Sequence, residues 1–133
     1  MSSERALYMD SSAIGKLLTV ELETAALVEF LVPHRSIVSS ALALVEVRRL
    51  ALRLGPEAVR AAQRTIAGLH LLEIDRAILE SAASLAPPFL RSLDAIHIAS
   101  ALSLGADLDA LVTYERRMRA AAESLGMAVA APA

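Results

Sequence analysis

The chain contains no cysteine. That excludes disulfides, thiolate metal sites and cysteine nucleophiles. Lysine is almost absent too: Lys16 stands alone against twelve arginines. Arginine suits forked contacts to phosphate and carboxylate, although a GC-rich coding sequence gives the same bias. Long apolar runs are also missing. The longest stretch without Asp, Glu, Lys or Arg is Ala95 to Ala106, twelve residues, short of the ~18 that span a bilayer. Hydrophobic residues nevertheless make up 56%. The excess implies a well-filled core plus apolar surface for a partner chain. Net charge is −2, so any grip on nucleic acid must be local and not a matter of bulk charge. The opening Met1-Ser-Ser-Glu-Arg lacks the basic and apolar segments of a signal peptide. A cytoplasmic protein is expected, and 133 residues suit one domain spanning 1–133.

Repeats, low-complexity tracts and linkers are absent, and apolar segments alternate in period. Ala6–Met9 reads as a strand ending on Asp10-Ser-Ser, a helix-cap signal. Helical patterns cover 14–18 and 21–31, and Pro33 ends them. Residues 36–39 read as a buried strand. Ser40 caps a helix to Gly55, and Pro56 opens the next, closed by Gly68. Residues 70–74 read as a strand, and Asp75 caps a helix that stops before Pro87-Pro88. Residues 94–104 are helical, 111–113 a strand, 115–125 a helix and 127–130 a last strand. This alternation predicts an α/β fold of three layers, helix–sheet–helix, with a mainly parallel sheet. Ligands in such folds lie beyond the carboxyl ends of the strands.

That rule sorts the fifteen acids. Most lie on polar helix faces, in loops or, like Asp75, at caps. Asp10 follows the first strand directly. Glu46 is embedded in Ala41-Leu-Ala-Leu-Val-Glu-Val, an awkward place for a charge unless its face borders a cleft. Asp94 begins Asp-Ala-Ile-His-Ile-Ala-Ser-Ala. Glu115 follows the strand Leu111-Val-Thr113 by two residues. Each has a structural reading as well: Asp10 as a cap, Asp94 and Glu115 as acids at helix N-termini, and Glu46 paired with Arg49 or Arg53. Four acids converging on one sheet edge repel one another, which a divalent cation relieves. Hard oxygen donors point to Mg²⁺ or Mn²⁺. His34, His70 and His97 lie in separate elements without zinc spacing.

At these residues the sequence resembles the PIN-domain family, and within it the VapC toxins of bacterial toxin–antitoxin pairs. Tyr8-Met-Asp-Ser-Ser-Ala resembles the family's opening strand and first acid. Ser39-Ser-Ala-Leu-Ala-Leu-Val-Glu-Val-Arg-Arg resembles the second motif, and Leu93-Asp-Ala-Ile-His-Ile-Ala-Ser-Ala the third, the most specific match. Leu111-Val-Thr-Tyr-Glu-Arg-Arg-Met resembles the fourth, with Glu115 where the family usually has Asp. The resemblance implies a metal-dependent endoribonuclease, homodimeric and held inactive by a VapB-type antitoxin. It makes Asp10, Glu46, Asp94 and Glu115 both the catalytic and the metal-holding residues for Mg²⁺ or Mn²⁺. The bound metal would lower the pKa of a water that attacks phosphorus. Ser11 and Thr113 are candidate supports, and Arg91, Arg116 and Arg117 candidate contacts to RNA phosphates.

Receiver domains and dehalogenase-type phosphatases also place acids and Mg²⁺ at a strand edge. Both need a late lysine, and the phosphatases need two Asp separated by one residue. Lys16 and Asp10-Ser11-Ser12 do not satisfy either pattern. The alternative that stands is a catalytically weak PIN-like module binding RNA or an antitoxin, kept open by Glu115.

Overall fold

The computed structural model describes residues 4–133. Five strands form one sheet with every pairing parallel: β1 (Ala6–Met9), β2 (Ile37–Ser40), β3 (His70–Leu72), β4 (Leu108–Val112) and β5 (Val129–Ala130), in the order β3-β2-β1-β4-β5. Helices α1 (Ser11–Gly15) and α2 (Thr24–Leu31) connect β1 to β2, and α3 (Leu42–Leu54) and α4 (Pro56–Ala67) connect β2 to β3. Helices α5 (Arg76–Ala83) and α6 (Ser92–Leu102) connect β3 to β4, and α7 (Arg116–Ser124) connects β4 to β5. The expected α/β class, with helix–sheet–helix layers, is what the chain adopts.

The alternation along β1 sorts the two layers. Leu7 and Met9 pack with Val47, Ala51, Ala58 and Ala62 of α3 and α4. Ala6 and Tyr8 face the other way, toward Ile98 and Ala101 of α6 and Met118 of α7. Both faces of β1 are buried, which is why this strand reads as a continuous apolar run. Chain order runs outward from β1 through β2 and β3, then resumes on the other side at β4. The strand order therefore reverses beside β1, where open α/β sheets leave a crevice. Among the described residues no helix is long and apolar enough to cross a membrane.

Boundaries shift where local polar groups compete with periodicity. Residues 22–23 form a turn, and α2 starts only at Thr24, whose hydroxyl donates to Lys16 O at 2.7 Å. Ser40 ends β2, but its Oγ accepts the Leu42 N–H at 3.1 Å, so it still serves the start of α3. Asp75 caps α5 as expected, accepting the Ile78 N–H at 2.9 Å. Helix α6 starts two residues before Asp94, which places Asp94 within the first turn. A 3₁₀ turn at Gly105–Asp107 precedes β4, and Asp109 belongs to that strand, bound to Arg5 at 3.0 Å. Gly55, at φ 117°, joins α3 to α4 in a conformation open to few other residues.

Candidate active site

The carboxyl ends of β1 and β4 lie side by side, and Asp10 follows the first of them. Its backbone N–H still bonds to Val112 O at 3.2 Å, which fixes the residue as an extension of the sheet. The extended backbone of Asp10 makes it the N-cap of α1, and Oδ1 accepts the Ala13 N–H at 2.9 Å. Ser12 Oγ donates to the same oxygen at 2.7 Å, and Thr113 Oγ1 donates to Oδ2 at 2.6 Å. The residue is only 2% exposed. Burial pushes its pKa above the ordinary value, against the pull of these three donors.

Glu46 reaches the same region from α3. Its Oε1 lies 2.8 Å from His97 Nε2 and also accepts from Ser11 Oγ. His97 Nδ1 lies 2.8 Å from the hydroxyl of Tyr8. A carboxylate only accepts, so Nε2 carries the proton, and in the neutral ring Nδ1 then accepts from Tyr8. Burial raises the Glu46 pKa, but the bonds from His97 and Ser11 outweigh it and the carboxyl stays below its usual range. Burial pushes the Tyr8 phenol well up, which keeps it a donor. Arg49 and Arg53, the partners that helix spacing offered, form no salt bridge with Glu46; its partner is the Nε2–H of His97.

Asp94 is held differently. It is half-buried, and only charges and burial act on it. Burial first, then Glu115 and Asp10, push its pKa up, against weaker opposition from His97 and Arg91. Glu115 is the N-cap of α7. Its Oε2 accepts the Met118 N–H at 2.7 Å, and its own N–H donates to Thr113 Oγ1 at 3.1 Å. Thr113 thus joins the start of α7 to Asp10. The Tyr114 N–H donates to Ser12 Oγ at 3.0 Å, a second link across the same gap. Arg91 is the N-cap residue of α6, and Arg116 and Arg117 open α7, all exposed.

Two hydrogen-bonded groups therefore meet at the sheet edge: Asp10 with Ser12 and Thr113, and Glu46 with Ser11, His97 and Tyr8. Asp94 feels the charges of Asp10 and His97 from these groups, and that of Glu115 beside it. Among the described residues no three His, Asp or Glu side chains form a ready-made metal cage, and no buried side-chain polar atom lacks a partner. Sequence reasoning overlooked Tyr8 and Ser12, and it considered His97 as a zinc ligand and set it aside. A phenol inside an otherwise apolar buried strand was the signal available for Tyr8.

Comparison with known proteins places this geometry in context. The PIN domain family model matches residues 7–124. Ribonuclease VapC46 of Mycobacterium tuberculosis is 51% identical over 127 residues, covering 96% of this chain and 98% of that one. Ribonuclease VapC35 of the same species is 42% identical over 130 residues, covering 95% and 96%. Among solved structures, M. tuberculosis VapC20, described as a sarcin–ricin loop cleaving toxin, superposes with a TM-score of 0.69 at 15% identity, over 86% of this chain and 94% of that one. VapBC2 of Rickettsia felis, bound to a DNA fragment from its promoter, gives 0.67 at 11% identity, over 94% and 97%. With the family match running from β1 to the end of α7, and relatives of this identity over nearly their whole length, the chain belongs to the PIN domain family and resembles its VapC members.

Proposed function

We propose that this chain is an endoribonuclease dependent on Mg²⁺ or Mn²⁺, the toxin of a toxin–antitoxin pair, built as a single PIN-like domain. The relatives named as ribonucleases support the RNA substrate. The VapBC2 neighbour supports a VapB-type antitoxin as partner. Exposed apolar side chains such as Val20, Leu22 and Val32 suit an antitoxin and a second copy of the chain as covers.

The observation that carries the reading is Asp94. It is a half-buried carboxylate that accepts no hydrogen bond among the described residues and is repelled by Glu115 and Asp10. A divalent cation would relieve that repulsion. The donors are all hard oxygens, and Asp10 and Glu46 already spend part of their accepting capacity on the protein. Mg²⁺ keeps several of its waters and needs only one or two carboxylates directly, so the set fits without a closed cage. When bound, the cation supplies a water of lowered pKa and neutralises charge on the phosphodiester. The chain's own residues do the positioning. Thr113, Ser12 and the Ala13 N–H fix the plane of the Asp10 carboxylate. Ser11 and His97 hold Oε1 of Glu46, which leaves Oε2 for the site, and Tyr8 fixes the tautomer of His97. Asp94 stays unpaired, so it can take the cation. Glu115 anchors the start of α7 with one oxygen and keeps the other available.

The test is cleavage of total RNA by purified protein with Mg²⁺, Mn²⁺ or EDTA, beside Asp94→Asn. Metal should switch cleavage on and raise the melting temperature of the wild type, and Asp94→Asn should lose both responses. Full nuclease activity in Asp94→Asn, or cleavage indifferent to EDTA, would remove the metal reading. RNA retained without cleavage would favour the weak binding module, for which the capping bond from Glu115 to Met118 is the structural support.

A further inference from the structure

A pocket of about 440 Å³ lies between the segment that leads into α6 and helix α7. Pro87, Phe89 and Leu90 form one wall, and Ala120 and Ala121 of α7 the other. Arg91, Arg117 and Asp94 also line it. The volume lies within the roughly 300–1,000 Å³ of small-ligand sites. Phe89 is 91% exposed, an unusual state for a large aromatic in a chain with only two phenylalanines. Among the described residues neither Arg91 nor Arg117 forms a salt bridge, as holds for every arginine except Arg5 and Arg76, and both are exposed.

We infer that this pocket seats one nucleobase of the RNA strand beside the scissile phosphodiester, with the base stacked against Phe89 and the adjoining phosphates met by Arg91 and Arg117. The inference rests on the ribonuclease reading above and adds a base-binding subsite to it. Three features select this occupant. The pocket is continuous with Asp94, so whatever fills it is attached to what reaches the acidic site. An RNA strand must carry its phosphates past several carboxylates, and two guanidiniums at the rim offset that repulsion locally in a chain whose net charge is −2. The apolar walls and the open aromatic face suit a flat ring, since bases splayed from single strands are bound by stacking on such side chains. Arg91 sits on the residue that starts α6, so the subsite and Asp94 share one rigid element.

The experiment uses the short single-stranded RNA that the wild-type protein cuts fastest from a random-sequence pool, and a set of copies each lacking one base. Phe89→Ala should raise KM about tenfold and largely spare kcat, the signature of lost binding common to ground and transition states. Removing the base at one position next to the cut should cost the wild type the same factor, and should cost Phe89→Ala nothing more. Removing any other base should affect both proteins equally. Arg117→Ala should weaken binding for every base alike and lower the salt dependence by about one phosphate contact. Phe89 is on the surface, so its loss should leave the melting temperature unchanged, and Phe89→Trp should restore binding. Unchanged KM and unchanged response to base removal in Phe89→Ala would overturn the subsite while leaving the ribonuclease intact. The same result accompanied by weaker self-association or weaker antitoxin binding would also overturn it and assign the pocket to a protein partner. Failure of the wild type to bind or cut any RNA would instead remove the ribonuclease reading itself.

Discussion

Asp10 and Asp94 are the same residue type at the same sheet edge, and burial pushes both pKa values up. They are held in opposite ways. Asp10 sits in a socket of three donors, from Ser12, Ala13 and Thr113, that spans α1 and β4. Asp94 stands on the first turn of α6 with no donor among the described residues. The socket makes Asp10 part of the fold as well as of the proposed site. Among the described residues the Asp94 carboxylate makes no hydrogen bond, and its one contribution to the fold is the place of a negative charge in the first turn of α6. One acid should therefore be costly to remove for two reasons, and the other for one.

The largest effect is expected from Asp10→Ala. It leaves the Thr113 and Ser12 hydroxyls and the Ala13 N–H without their acceptor in a buried place, at a cost of about 3 kcal/mol. Cleavage should fall well beyond the ~100-fold typical of residues that only support metal ligands. Thermal melting and cleavage assays on the same preparation check both halves. A variant as stable as the wild type would show that the socket contributes nothing to folding.

Asp94→Asn should separate the two properties. Cleavage should again fall by more than ~100-fold, but without loss of stability. The sign follows from the raised pKa. In the metal-free protein, Asp94 favours folding while protonated, and that contribution is lost as pH rises through its raised folded value. At neutral pH the wild type bears the cost of an ionised, repelled carboxylate, and the Asn variant does not. In EDTA, Asp94→Asn should melt at or above the wild-type temperature near pH 7, and the gap should close below the ordinary Asp range. A lower melting temperature at pH 7 would mean that Asp94 has a structural partner.

The contrast between the two acids was only half legible in the sequence. The sheet edge could be read, because Asp10 directly follows an apolar run and Glu115 follows another. The layers could be read because helical and strand periods alternate. Glu46 stood out as a charge in an apolar helix. What it touches did not, because helix spacing offered only Arg49 and Arg53. The actual partner, His97, lies 51 residues away on an element from the opposite layer. Thr113 could be named a support, but its bond to Asp10 across 103 residues depends on β1 and β4 being neighbours. Strand order is a tertiary fact that periodicity does not contain. The start of α6 was misjudged by two residues because the low charge of that helix drew its boundary to the first acid.

His97 tests whether the second socket matters as the first does. His97→Ala leaves Glu46 with the Ser11 bond alone, removes the partner the Tyr8 hydroxyl has at Nδ1 and opens a cavity, which should cost about 2–3 kcal/mol in stability. Turnover per folded molecule should drop by ~10–100-fold, the range for residues that orient metal ligands, and the metal concentration needed for half-maximal cleavage should rise. Tyr8→Phe, which removes only the hydroxyl, should show a weaker version of the same shift in metal dependence. If His97 were simply core packing, melting would fall while metal dependence and turnover of the folded fraction stayed put.

The smallest and most discriminating effect belongs to Glu115, which combines both modes of holding. One of its oxygens is committed to the Met118 N–H, as in a socket, and its charge acts on Asp94, as in an open site. Glu115→Gln keeps an acceptor for Met118 but loses the negative charge at the N-terminus of α7, worth about 0.3–1 kcal/mol. Glu115→Asp supplies a residue type that caps well and matches the usual fourth acid of the family, so melting should hold or rise slightly. If the carboxylate also takes part in the chemistry, Glu115→Gln should slow cleavage about tenfold, less than Asp94→Asn, and Glu115→Asp should keep most of it. If Glu115 is a cap alone, Glu115→Gln should cleave at the wild-type rate and only its melting temperature should move. Rate and melting temperature measured together on the three proteins separate the cases, because the charge lost is the same and only a role in the reaction makes the rate follow it.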